Sequence, residues 1–240
     1  MTDARAVKKD QRGKRFFSGM AIVLLVVVIA GFGPSFYFRG SDAPELMLSV
    51  ILHGAIMTVW YVLAVVQALL AKKGGGPAQL LLHRRLGMFG GLVALGVLVT
   101  GVMVAISLYR KDAADIVVPP PAILLANLTN VIGFAVCVVL GVKNRRVRDA
   151  HARYMSWASV VMIGPASFRL VRSLGLSPMF SVPAQLLFCA ALVMHDRREF
   201  GRVHRASWLG LGIVFFQIVG SFTLGQTVVW EELARSLFAG

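Results

Sequence analysis

Long runs of apolar residues constrain this chain more than any other feature. A bilayer core of about 30 Å needs about 20 apolar residues, at a rise of 1.5 Å each, to be crossed by a helix. Seven runs approach this length, and the sixth is the shortest. They are Phe16–Phe38, Leu46–Ala71, Leu86–Tyr109, Ile116–Val142, Tyr154–Val171, Met179–Met194 and Ala206–Trp230. The sequence therefore predicts an all-α, polytopic membrane bundle of about seven transmembrane helices.

Composition supports this class and argues against a nucleic-acid-binding protein. Hydrophobic residues make up 57% of the 240 and charged residues only 15%, whereas soluble domains carry about 25% charged residues. The net charge of +14 lies between the apolar runs rather than on one face of a soluble domain. We therefore expect a single membrane domain over 1–240, with a basic tail at 1–15, the bundle at 16–230 and a short tail at 231–240.

The distribution of Lys and Arg predicts the orientation of the bundle. With seven spans the loops alternate between the two sides, and 19 of the 25 basic residues fall on one side. Because cytoplasmic loops carry the excess of Lys and Arg, the N-terminus is predicted to be inside and the C-terminus outside. That cytoplasmic surface is expected to contact anionic lipid headgroups.

One face of the second span carries polar side chains whose exposure to lipid would cost free energy. Ser49, His53, Met57, Trp60 and Gln67 recur at three- and four-residue steps, which places them on one side of a helix. A histidine and a glutamine at membrane depth need a partner, a cavity or a cofactor, so this face is expected to point into the bundle. A histidine hydrogen-bonded to a neighbouring helix is the alternative to a cofactor ligand.

His83 and His151 open the third and fifth spans, which run in the same direction, so both are predicted to lie at a similar depth near the cytoplasmic surface. Bundles build cofactor sites from inward side chains on facing helices, and haem iron accepts axial histidines. Gly87 and Gly90 would leave room for a flat ligand. Arg84, Arg85 and Arg153 would pair with its propionates. An interfacial anchoring role for both histidines is the alternative.

Three segments carry a resemblance to known proteins: His53 with Trp60 and Gln67, then His83-Arg84-Arg85-Leu86-Gly87, then His151-Ala152-Arg153-Tyr154-Met155 with a later Arg169. They resemble a widespread family of uncharacterised bacterial multi-pass inner-membrane proteins. A more distant similarity is to the transmembrane b-type cytochromes, in which core histidines pair across two haems. That similarity implies one haem b at His83 and His151, since His53 faces a fourth span without a histidine.

Several other classes of membrane protein fit the sequence less well. A retinal protein lacks its lysine in the last span, and a zinc hydrolase of the adiponectin-receptor and ceramidase type lacks its His-x-x-x-His there. A zinc or iron site remains open at the cytoplasmic face. Its candidate ligands are His83, His151, His195, His204, Asp149, Asp196 and Glu199. A transporter would use broken helices and midplane polar residues in matching halves, and Asn127, Asn130 and Gln217 are too few to indicate one.

Two functions are therefore expected above the others. The first is a bacterial inner-membrane redox or electron-transfer protein binding a single b-type haem, with His83 and His151 as metal ligands and His53, Arg84 and Arg153 as further cofactor-binding residues. The second is a non-catalytic accessory or assembly subunit that packs against a larger membrane complex, through a membrane-protein partner or as a homo-oligomer.

Overall fold

The computed structural model describes residues 2–72, 76–110 and 118–238, with side chains from Arg15 onward apart from that of residue 72. Within these residues the chain forms nine α-helices and no strand. They are α1 (Thr2–Phe32), α2 (Leu48–Lys72), α3 (Pro77–Arg110), α4 (Pro120–Lys143), α5 (Arg148–Val161), α6 (Gly164–Ser173), α7 (Ser181–Phe200), α8 (Arg205–Phe222) and α9 (Val228–Phe238).

Six helical segments in the described parts of the chain are long and apolar enough to cross a membrane. They are Arg15–Tyr37, Leu48–Ala71, Pro77–Arg110, Pro120–Lys143, Pro178–Phe200 and Arg205–Gln226. Each coincides with one of the predicted spans to within about four residues, except that α3 begins nine residues before Leu86 and the segment Pro178–Phe200 ends six residues after Met194. The prediction of an all-helical, multi-pass membrane protein is confirmed at this level. Apolar runs specify such helices because a helix satisfies its own backbone in lipid.

The fifth predicted span, Tyr154–Val171, is not one continuous helix. The chain leaves α5 at Val161, turns at Met162 and Ile163, and re-enters helix at Gly164. Pro165 is the second residue of α6, where its missing N–H is tolerated, but it removes the donor that would continue α5. The prediction of an uninterrupted span was wrong for this physical reason.

The C-terminal end of the chain is also more structured than a short tail. The seventh run ends its α-helix at Phe222 and continues as a 3-10 turn, Leu224–Gln226, before α9. Trp230 donates its indole N–H to the carbonyl of Pro121 at 2.7 Å, and Ala234 is buried against Leu124 and Ala105. Residues 231–238 of the predicted tail therefore pack on the bundle, while 239–240 lie outside the described residues.

The core of the bundle is centred on the interrupted segment. Trp157, Val160, Val161 and Ile163 have no exposed surface, and α1, α4, α7 and α8 pack around α5 and α6. Small residues allow the backbones of these helices to come close together. A Cβ on Gly31 of α1 would lie only 3.2 Å from the Cα of Ala166 in α6, so the two backbones are nearly in contact.

Contacts group the helix ends into two sets. At one end, Arg148 at the start of α5 donates to the carbonyl of Ala71 at the end of α2 (3.3 Å), and Arg205 at the start of α8 donates to Asn144 just after α4 (3.2 Å). At the other end, Arg110 at the end of α3 donates to the carbonyl of Phe238 in α9 (2.7 Å). The start of α5 and the end of α7 also meet, as described below.

Candidate functional site

The two histidines predicted to share a site lie side by side. His83 of α3 and His151 of α5 have ring centroids 6.4 Å apart, with ring planes inclined at 78°. His151 lies in the first turn of α5, whereas His83 lies nearly two turns inside α3, because that helix begins at Pro77 rather than near Leu86. The structure thus places His83 and His151, which the topology predicted to lie at a similar depth, next to each other.

Backbone contacts fix the orientation of both residues. The Nδ1 of His151 lies 2.8 Å from the carbonyl oxygen of Gly141, an arrangement in which Nδ1 carries the proton and Nε2 keeps its lone pair. Gln67 donates to the carbonyl oxygen of His83 at 3.0 Å. The Nδ1 of His83 and the Oε1 of Gln67 are buried without a hydrogen-bond partner.

This geometry fits two imidazoles binding one metal. Metal–imidazole bonds are about 2 Å long, so two rings on opposite sides of one metal have centroids about 6 Å apart. The observed 6.4 Å is close to this separation and also lies in the range of an edge-on contact between two rings, and Nδ1 of His83 is buried without a hydrogen-bond partner. A Cβ added at Gly90 of α3 would have no neighbour within 4 Å, whereas one added at Gly87 would lie 3.4 Å from Nε2 of Gln67, so only one of the two predicted glycines borders open space. The residues present therefore fit a haem that His83 and His151 would hold.

The predicted arginines divide into two groups. Arg84 and Arg85 follow His83 on α3, and both are exposed. Arg153 points elsewhere, because two residues along a helix turn a side chain by about 200° from His151. Its guanidinium is 1% exposed and donates through Nε to Asp196 of α7 at 2.5 Å.

The surroundings of Arg153 form a buried network that joins four helices. Asp196 also accepts the backbone N–H of His204 at 3.0 Å. The guanidinium lies over the rings of Phe17 and Phe200, at 5.4 and 4.7 Å from their centroids. This arrangement satisfies the charge of Arg153 without a propionate, so its position indicates a structural role in joining α1, α5, α7 and α8.

His53 belongs to a different part of the bundle. Its Nδ1 lies 3.0 Å from the hydroxyl of Thr100 on α3, and 17 residues, or about 25 Å of helix, separate Thr100 from His83. His53 thus makes the interhelical hydrogen bond that was its alternative explanation. The prediction that its face points inward is confirmed, since Met57 is buried and Trp60 donates to Ser159 on α5 at 3.1 Å.

The larger cytoplasmic metal cluster does not form. Among the described residues no group of three or more His, Cys, Asp and Glu side chains is placed to hold a metal ion. His195 instead stacks on Phe16, with ring centroids 4.0 Å apart, and Asp196 binds Arg153. His83 and His151 therefore remain as the candidate metal-binding pair, with two nitrogen donors that could hold a haem.

Residues around the helix break were not predicted as a site. Gln185 of α7 and Gln217 of α8 are both buried beside Gly164, the first residue of α6. The available sequence signals were Gly164-Pro165 inside an apolar run and carboxamides within apolar helices. The Gly164-Pro165 pair and the two carboxamides come together only in the folded bundle, and their spacing along the chain does not predict this.

The fold and the histidine pair together define an integral membrane helical bundle. No family model, no curated protein and no solved structure matches the chain.

Proposed function

We propose that this protein is a seven-pass protein of the bacterial inner membrane that binds one b-type haem through His83 and His151 and serves in electron transfer. The observation that carries the proposal is the 6.4 Å separation of the two imidazoles, which belong to separate helices and to distant parts of the sequence. A bound haem would supply one-electron redox chemistry.

The chain's own residues would hold and orient the group. The bond from His151 to the carbonyl of Gly141 fixes the ring and its tautomer, as outer contacts of metal-binding histidines commonly do. The bond from Gln67 to the carbonyl of His83 ties that residue to α2. Arg84 and Arg85, exposed on the same helix as His83, provide cations for the propionates.

Contacts between helix ends support seven passes. The start of α5 adjoins the end of α2, and Arg153 near that start binds Asp196 near the end of α7. Because α7 spans the bundle, its own beginning lies at the opposite end. These contacts support a path in which the α5–α6 segment carries the chain from one end of the bundle to the other. Adding this passage to the six apolar spans gives seven.

The experiment is the absorption spectrum of the purified full chain, produced in haem-replete cells. We expect a reduced-minus-oxidised b-type spectrum with one haem per chain. Replacing His83→Ala or His151→Ala is expected to abolish it without preventing membrane insertion, which depends on the apolar spans. His53→Ala is the matched control, because it also removes a buried histidine from a spanning helix but is expected to retain the haem.

A wild-type protein that is folded and contains no haem would contradict the proposal. So would a spectrum that survives both His83→Ala and His151→Ala. The accessory or assembly role within a larger membrane complex would then take its place, and co-purification of a stoichiometric membrane partner would support it.

A further inference from the structure

The break between α5 and α6 lies within the most buried part of the bundle. Trp157, Val161 and Ile163, which flank the turn, are all without exposed surface. A helix that ends at this depth exposes backbone carbonyls, and each must find a donor in the absence of water. Broken helices in membrane proteins occur where they are buried in protein or line a cavity, and they commonly form substrate and ion sites.

Side chains from two other helices donate to carbonyls beside the break, one of which, that of Val160, also accepts the backbone N–H of Ile163 at 3.3 Å. Tyr61 of α2 donates its hydroxyl to the carbonyl of Ser159 at 2.9 Å, and Gln185 of α7 donates its amide to the carbonyl of Val160 at 3.3 Å. Both donors are at least 96% buried. The break is therefore built into the packing of the bundle rather than being a local distortion of α5.

Two carboxamides meet at the first residue of α6. A Cβ built on Gly164 would lie 3.1 Å from Gln185 Oε1 and 3.5 Å from Gln217 Nε2. A side chain at Gly164 would therefore crowd the amide oxygen of Gln185, and Gln217 faces the same position with its amide nitrogen. Gln217 is 7% exposed, and its Oε1 has no hydrogen-bond partner.

A third carboxamide lies in the same layer. A Cβ on Gly133 of α4 would contact Ile213 of α8 and Val161 of α5, so these three helices meet at that level. From there, Asn130 is one turn along α4 and Gln217 one turn along α8, each on the same helical face as the contact residue. Because α4 and α8 are antiparallel, both steps lead towards the same end of the bundle. Asn130 is 4% exposed, and its Oδ1 is also unpartnered.

We propose that the break, Asn130, Gln185 and Gln217 form a binding site for a monovalent alkali cation. The unpartnered atoms are neutral oxygens, the ligands that hard cations prefer. Half-helix carboxyl ends and unwound carbonyls bind Na⁺ in transporters with broken helices. None of the residues named carries a carboxylate to offset a divalent ion, so a single positive charge fits best. The site lies 13 residues, or about 20 Å of helix, from His151 and does not depend on the proposed haem.

The test measures thermal unfolding of the purified full chain in NaCl and in choline chloride at equal concentration, which holds the anion and ionic strength constant. Sodium is expected to raise the apparent Tm. At ten times its Kd, a ligand that binds only the native state favours folding by about elevenfold. Binding of radioactive ²²Na⁺ to the same samples, at about one ion per chain, measures the interaction directly.

Two variants with a matched control identify the site. Gln217→Leu removes an unpartnered oxygen, and Gly164→Ala adds a methyl against both amides without removing any polar group. Each is expected to weaken ²²Na⁺ binding by tenfold or more. Gly212→Ala introduces the same methyl on α8, where no atom lies within 4 Å, and is expected to bind as the wild type does.

Equal Tm values for the wild type in sodium and choline, together with no ²²Na⁺ binding, would overturn the proposal and indicate that water alone occupies the site. Undiminished ²²Na⁺ binding in both Gln217→Leu and Gly164→Ala would also overturn it. If either variant fails to fold, the other and the wild-type measurement still decide the question.

Discussion

The charged residue with the greatest structural consequence is Arg153. Its guanidinium is almost fully buried and faces two carboxylates of different exposure: Asp196 is buried at 2.5 Å, while Asp149 is 64% exposed at 3.9 Å. Removing one partner of a buried ion pair leaves an uncompensated charge, whereas surface pairs contribute little. The same arginine thus provides an internal comparison of the two kinds of pair.

We expect Asp196→Asn to lower the free energy of unfolding by about 3–5 kcal/mol and Asp149→Asn by less than about 1 kcal/mol. Chemical or thermal unfolding of the two variants in the same detergent measures the difference. Similar losses in both variants would show that Arg153 is not the buried, paired cation described here.

A second single-residue constraint comes from Gly210. A Cβ at this position would lie 2.1 Å from Cδ2 of Trp157. The indole cannot move aside easily, since it is fully buried and donates Nε1–H to Ser207 at 3.0 Å. Gly210 thus sets the closest approach of α8 to α5.

Gly210→Ala is expected to cost about 1–3 kcal/mol of stability through overpacking. Gly212→Ala, on the same helix but in open space, is expected to be neutral or to stabilise the helix by up to about 1 kcal/mol. A melting comparison of the two alanine variants tests this, and a Gly210→Ala protein as stable as wild type would refute the contact.

At the level of helices, the start of α8 depends on the protonation of His204. Its Nδ1 accepts the backbone N–H of Ala206 at 3.1 Å, which caps the helix and requires that Nδ1 carry no proton. Burial lowers the pKa of His204, and the nearby Arg153 and Arg205 lower it further, while Asp196 and Asp149 act in the opposite direction.

This predicts a stability that falls in acid. Because the folded pKa lies below the ordinary value of about 6.5, the unfolded chain takes up the proton first as the pH falls. The contribution of His204 is fully present above pH 6.5 and is lost progressively below it. His204→Asn keeps a capping oxygen and should show a smaller decrease in Tm between pH 7 and 5. An identical decrease would contradict the role of His204.

The helix break marks the limit of what the sequence could predict at this scale. Gly164-Pro165 was visible, but proline is tolerated in continuous membrane helices when neighbours bind the freed carbonyls. Here the donors are Tyr61 and Gln185, which are distant in sequence. In contrast, the pairing of His83 with His151 could be predicted, because topology alone sets their common depth. The burial of Arg153 could not, since its partner Asp196 is on α7.

For the whole molecule, the passage of α5 and α6 across the membrane determines which side the later loops and the C-terminus lie on. If they do, the loop after α6 and the C-terminus lie outside; if they do not, both lie in the cytoplasm. The basic residues favour the first arrangement, since 19 of 25 then lie on the cytoplasmic side.

Cysteine labelling of the intact chain distinguishes the two arrangements. The native Cys137 and Cys189 are buried, so they give little background. Leu176→Cys places a thiol in the exposed loop after α6, and Arg146→Cys places one in the exposed turn before α5.

With seven passes, a membrane-impermeant maleimide should label Leu176→Cys in cells whose inner membrane is intact and should label Arg146→Cys only after that membrane is permeabilised. Protection of both positions until permeabilisation would instead mean that α5 and α6 enter and leave from the cytoplasm, and a reporter fused after residue 240 would then be active only inside. The measurement is decisive because α5 and α6 are the only helices between positions 146 and 176. Any difference in labelling between the two thiols therefore reports whether α5 and α6 cross the membrane.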